Sequence, residues 1–196
     1  MNVGLFFGSF NPIHNGHLAI AQFMLSHTSL TEVWFVVSPH NPLKPAHLLA
    51  DDNLRLEMVR QTVASINPNL RVCSVEFKMS RPSFTIDTLR QLEQMHPSYS
   101  FTLLMGADSI ASIMQWKEHQ ALTNSYNIFV YPRPGIDLGE PQKLYSRVTV
   151  VSAPILPISS TLVREHVAAG MDIAHLVPEV TAQFIKSNAM YQTKQG

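Results

Sequence analysis

Residues 2–25 read NVGLFFGSFNPIHNGHLAIAQFML. Val3 to Phe7 form an apolar run without alternation, the pattern of a short strand covered on both faces. The run breaks at Gly8-Ser9-Phe10-Asn11-Pro12, and a helical pattern follows over Asn15–Ser26, with Leu18, Ala21, Phe23 and Leu25 among its apolar residues. A glycine there lets the backbone approach a ligand, Ser9 adds a hydroxyl, and the helix start beyond Pro12 offers free N–H donors to an anion. A plain strand-to-helix connector would use the same residues. The unusual feature is the pair His14 and His17 on either side of Gly16. Imidazoles three apart at a helix start share a face. They could hold a metal, stabilise charge on a phosphate as cations or as donors, or simply pack. Gly16 argues against simple packing, because glycine costs about 1 kcal/mol within a helix. Close approach of a bulky ligand would explain it.

Outward from this stretch, strands and helices alternate. Glu32–Ser38 is a β-branched and aromatic run, and residues 39–47 (PHNPLKPAH) hold three prolines and form a loop. Asp51 or Asp52 caps a helix over Leu54–Ser65. Leu70–Phe77 reads as a third strand, and Ser83 or Thr85 opens a helix through Gln94. Ser100–Gly106, Tyr126–Tyr131 and Arg147–Ala153 are further strands, and Thr161–Ala169 and Pro178–Asn188 close the chain as helices. The order predicts an α/β, Rossmann-like doubly wound parallel sheet, in one domain spanning 1–196 with a helical C-terminal portion over about 158–190. Ligands bind such sheets beyond the carboxyl ends of the strands. Gly8-Ser9, the loop after strand two with Lys44, and Gly106-Ala107-Asp108 all fall on that rim.

Composition narrows the function classes. With 196 residues, 45% hydrophobic and 14% charged, the chain is long enough for a real core. Its 14 basic and 14 acidic residues balance, which excludes the basic footprint of a protein that coats nucleic acid. No apolar segment approaches a membrane span of about 20 residues, and no basic segment precedes the first apolar run as in a signal peptide. A soluble cytoplasmic protein, monomeric or homo-oligomeric, is expected. Cys73 stands alone, so it makes neither an internal disulfide nor a thiolate cluster. A zinc site on the histidine pair would need a third ligand, and His40, His47 and Cys73 have no recognisable spacing for one.

Two segments then stand out together. GSFNPIHNGHL (8–18) resembles the HxGH-type nucleotidyltransferase signature, G-x-F-x-P-x-H-x-G-H, and ISSTLVR (158–164) resembles the ISSTxxR signature of the same superfamily. By its chemistry, Ser159-Ser160-Thr161 can cap a helix and present hydroxyls and N–H groups to an anion, with Arg164 a turn away as a phosphate fork. An ordinary capped helix would have the same residues. Between them, PSFTIDTL (82–89), GADS (106–109), QWKEH (115–119) and YPRPG (131–135) resemble the bacterial nicotinate mononucleotide adenylyltransferases.

This resemblance implies adenylyl transfer from ATP to nicotinate mononucleotide, giving deamido-NAD and pyrophosphate, with Mg²⁺ accompanying ATP and no protein side chains forming a metal site. It implies an ATP site at Gly8, Ser9, Phe10, His14, His17, Gly106, Asp108, Ser159, Ser160, Thr161 and Arg164, with His14, His17 and Arg164 catalytic. The mononucleotide would meet Lys44, Thr85, Asp108, Trp116 and Arg133, with Trp116 stacked on the pyridine ring and the Thr85 helix start facing the carboxylate. Asp108 would orient ribose hydroxyls or a metal-bound water. Each has an ordinary competitor: a core anchor for Trp116, a helix cap for Asp108, a solvated loop charge for Lys44. Two departures from the family pattern are Phe7, where relatives carry glycine, and Asn11, where they carry aspartate. Rival functions are transfer to nicotinamide mononucleotide or phosphopantetheine, a nucleotide-binding module without turnover, and a zinc hydrolase.

Overall fold

A computed structural model describes residues 1–39, 49–137 and 141–192. Lys44, His40 and His47 lie outside the described residues. Six strands form one parallel sheet: β1 (Asn2–Gly8), β2 (Glu32–Val37), β3 (Leu70–Cys73), β4 (Ser100–Gly106), β5 (Asn127–Tyr131) and β6 (Val148–Val150). Their order is β3-β2-β1-β4-β5-β6. The chain winds outward from β1 in one direction, then restarts at β4 on the other side of β1. The carboxyl ends of β1 and β4, Gly8 and Gly106, therefore flank the switch point, where a doubly wound sheet opens a crevice.

The unbroken apolar runs follow from burial on both faces. Phe6, Val33, Phe35 and Val37 pack with α1 (Asn15–His27), α2 (Asp52–Ile66), α7 (Ser160–Ala168) and α8 (Glu179–Ser187). The alternate residues Val3, Leu5, Trp34 and Val36 face the other way, toward α3 (Thr85–Met95), α4 (Ala107–Ala111) and α5 (His119–Ser125). Among the described residues no helix is long and apolar enough to cross a membrane.

Several element boundaries differ from expectation for identifiable reasons. Strand β3 stops at Cys73, and Val75–Lys78 turns into a 3-10 helix. The cause is Glu76, which is buried and accepts hydrogen bonds from Ser83 Oγ at 2.6 Å and Thr88 Oγ1 at 2.9 Å, pulling the chain off the sheet. Asp51, and not Asp52, caps α2 by accepting from the N–H groups of Asn53 and Leu54. Of Ser83 and Thr85, Thr85 opens α3 as its first residue, and the N-cap before it, Phe84, makes no side-chain bond. Strand β6 is only three residues. The helices α4, α5 and α6 (Pro141–Leu144) went unpredicted because they are short and carry no apolar period.

Candidate active site

A cleft of about 650 Å³ lies over the switch point. It is lined by the β1 turn, the ends of β4 and β5, the start of α3, Trp116, and the start of α7. With the exception of Lys44, each expected site residue borders this cleft: Gly8, Ser9, Phe10, His14, His17, Thr85, Gly106, Asp108, Trp116, Arg133, Ser159, Ser160, Thr161 and Arg164. They come from six separate segments of the chain. Bordering a cleft is not yet a role, and the local geometry separates groups that can meet a ligand from groups that shape the wall.

His14 is the N-cap of α1 and His17 its third residue. The rings stack at 3.7 Å between centroids, 28° from parallel, and the His14 N–H donates to His17 Nδ1 at 3.3 Å. Burial, with a further contribution from the Arg133 charge, brings the His14 pKa down to about 3. That burial favours the neutral, hydrogen-bond-donating ring over the cation. A phosphate brought beside the ring would oppose that shift.

The glycines make room for side chains of the site itself. A Cβ on Gly16 would stand 3.0 Å from His14 Cε1 and Nδ1 and 3.7 Å from the Ile158 carbonyl. Gly16 makes room for the His14 ring against α1. A Cβ on Gly8 would come within 2.8 Å of the Phe10 ring. At Gly106 it would strike the Asp108 carboxylate and stand 2.9 Å from Arg133 Nε. Both glycines let a side chain of the site fold back over the strand end.

Phe10 is a wall residue. It adopts a left-handed backbone (φ 44°), and its buried ring meets His17 edge-on at 5.1 Å and Phe6 at 5.8 Å. The ring thereby fixes the plane of His17. Asn11 ties the turn to its surroundings through Oδ1, which accepts the Ala50 N–H at 3.1 Å. Phe7 borders the cleft and packs on the second core.

The C-terminal signature is latched onto the first. Ser159 caps α7 by accepting the Leu162 N–H at 3.1 Å. Ser160 Oγ donates to the Pro12 carbonyl at 2.8 Å, so its hydroxyl hydrogen is engaged within the protein and not offered to an anion. Arg164 donates to the Asn11 carbonyl at 2.8 Å and to Thr161 Oγ1 at 3.2 Å. Asp108 sits in the first turn of α4, and its Oδ1 is 3.5 Å from Arg133 Nε. Arg133 also lies over the Tyr131 ring, 5.4 Å from its centroid.

Sequence reading missed Arg55 altogether. It is fully buried, and its guanidinium donates to the carbonyls of Ser9 (2.6 Å), Ser38 (2.9 Å), Pro39 (2.8 Å) and Ala50 (3.0 Å). It holds the β1 turn, the end of β2 and the approach to α2 together. An arginine inside an apolar helical period was the available signal. Buried Glu76 and the surface Lys117 were also missed; both border the cleft.

Four buried side-chain atoms along the cleft, Ser9 Oγ, His14 Nδ1, Trp116 Nε1 and Arg133 Nε, have no hydrogen-bond partner among the described residues; away from it only Tyr191 Oη does. Each buried polar atom left so costs about 1–3 kcal/mol. Their concentration at one cleft marks a surface built to be completed by a polar ligand. Among the described residues no three His, Cys, Asp or Glu side chains are grouped to hold a metal ion. The zinc reading has no support there. Cys73 is buried and its pKa is pushed up to about 11, chiefly by desolvation, which disfavours the thiolate a nucleophile would need.

Comparison with known proteins agrees with this geometry. The cytidylyltransferase-like family model matches residues 5–166. A Flavobacterium psychrophilum protein named "Probable nicotinate-nucleotide adenylyltransferase" is 39% identical over 98% of this chain and 100% of its own. A Bacteroides fragilis protein of the same name is 42% identical over 93% of this chain and 90% of its own. The solved structure of Plasmodium falciparum nicotinic acid mononucleotide adenylyltransferase complexed with NaAD shares the fold, with a TM-score of 0.79, 20% identity and 97% of each chain covered. A sheet restarting at β4, two latched signatures and full-length relatives converge: the chain belongs to the cytidylyltransferase-like family and, within it, to the nicotinate-nucleotide adenylyltransferases.

Proposed function

We propose that this chain, working as a single domain, transfers the adenylyl group of ATP to nicotinate mononucleotide, forming nicotinate adenine dinucleotide and pyrophosphate. The observation that carries the reading is the set of four unpartnered buried polar atoms along one cleft, two of them within the first signature. Two nucleotides need a long cleft with donors at the phosphate region and a flat apolar surface at the base. Ser9, neutral His14 and Arg133 supply donors, and Trp116 supplies the ring. The curated relatives' names support the choice of acceptor.

In the proposed mechanism the 5′-phosphate oxygen of the mononucleotide attacks the α-phosphorus of ATP, and the bond to the β-phosphate oxygen breaks. No covalent enzyme intermediate is involved. Catalysis is positioning plus stabilisation of charge on the transferring group by His14, His17 and Arg164. Arg164 would use the donors left beside its contacts to Asn11 and Thr161. Magnesium enters with the triphosphate as MgATP, supplying charge neutralisation on the phosphates. A carboxylate at Asp108 and a hydroxyl at Ser9 are hard-oxygen groups that suit an ion arriving on its nucleotide. Trp116 would stack on the pyridine, and the first N–H groups of α3 at Thr85 would favour a carboxylate over a neutral amide. Lys44 would meet phosphate.

Initial rates with MgATP and three acceptors, nicotinate mononucleotide, nicotinamide mononucleotide and phosphopantetheine, test the assignment. The acid mononucleotide is expected to give the highest kcat/KM, and a clear preference for either other acceptor would overturn it.

A further inference from the structure

At the Thr85–Trp116 end of the cleft the protein's own charges work against an anionic ring substituent. Glu76 is buried behind α3, and Asp87 stands in its first turn. A substrate carboxylate at the start of α3 would be the third negative charge in that corner. The cation that answers them is Lys117, next in the chain to Trp116 and itself on the cleft wall. Its Nζ lies 2.8 and 3.1 Å from the two Asp87 oxygens and 5.0 Å from the centroid of the Phe84 ring, the residue before Thr85. A second clasp fixes this placement: Arg90 on α3 donates to both oxygens of Glu118 at 3.1 and 2.6 Å. Together the two ion pairs hold the Trp116 segment against α3, with the ammonium beside the helix start.

We infer that Lys117 is a specificity-determining residue that sets the preference for an acid over an amide on the pyridine ring, by cancelling Asp87 and drawing the substrate carboxylate. The inference rests on the proposed adenylyl transfer to nicotinate mononucleotide. Lys117 acts through charge at a partly exposed site, so its effect falls as salt rises. The carboxamide of an amide substrate is neutral and gains little from it.

The test is the ratio of kcat/KM for acid over amide mononucleotide in wild type, Lys117→Met, Lys117→Arg and Asp87→Asn, at low salt and at roughly 0.5 M. Lys117→Met is expected to lower the ratio about three- to tenfold at low salt. Lys117→Arg should hold it near the wild-type value, and Asp87→Asn should raise it. Both changes should shrink at high salt. An acid-preferring wild type whose ratio is unmoved in Lys117→Met, because both substrates lose equally or neither does, overturns the inference and leaves the proposed function standing. A wild type with no acid preference overturns the acceptor assignment itself, and the inference with it.

Discussion

At Gly16 one missing methyl sets the position of a catalytic candidate. A Cβ there stands 3.0 Å from the His14 ring, so Gly16→Ala forces that ring to shift by a few tenths of an ångström. Helix propensity works in the opposite direction, favouring alanine by up to about 1 kcal/mol. The expected result is a protein whose thermal midpoint is maintained while kcat falls about tenfold, since small misplacements of a reacting group are costly. Thermal melting and initial rates on the same sample check both halves. His14 also makes a pH prediction. Its folded pKa of about 3 lies below the ordinary 6.5, so the unfolded chain binds more protons between those values. The stability it contributes is complete above pH 6.5 and drains away as pH falls toward 3. Urea midpoints of wild type should therefore drop more steeply over that window than those of His14→Asn.

Single contacts between elements join the cleft walls. Ser160→Ala removes the bond to the Pro12 carbonyl that draws the start of α7 to the β1 turn. It should cost about 1 kcal/mol in urea unfolding and raise the KM for ATP. Arg55→Met leaves four carbonyls of three segments without their buried donor, and a loss of at least about 3 kcal/mol is expected in the same measurement. These contacts show where sequence reading reaches its limit. The parallel sheet was legible because burial on both faces leaves unbroken apolar runs such as 3–7 and 33–37. The residues around the cleft were legible because two signatures and four segments between them resemble a known family. The reasons for individual residues were not. Gly16 clears the ring of the N-cap histidine two residues before it, Ser160 gives its hydroxyl hydrogen to a distant carbonyl, and Arg55 binds backbone atoms up to 46 positions away. The two distant partners leave no local pattern. Lys44 lies among residues the structure does not describe.

Across the molecule, the restart of the sheet at β4 gathers six segments over one crevice, and helix α7 joins it by binding the first turn. Direct adenylyl transfer in this crevice would place the histidine pair at the reacting phosphate. The most direct measurement follows dinucleotide and pyrophosphate formation from MgATP and nicotinate mononucleotide, in wild type and in His17→Ala of verified fold. The two products should appear in equal amounts, and turnover should fall by about 10²–10³ in the variant. Unaltered turnover by His17→Ala would contradict the account.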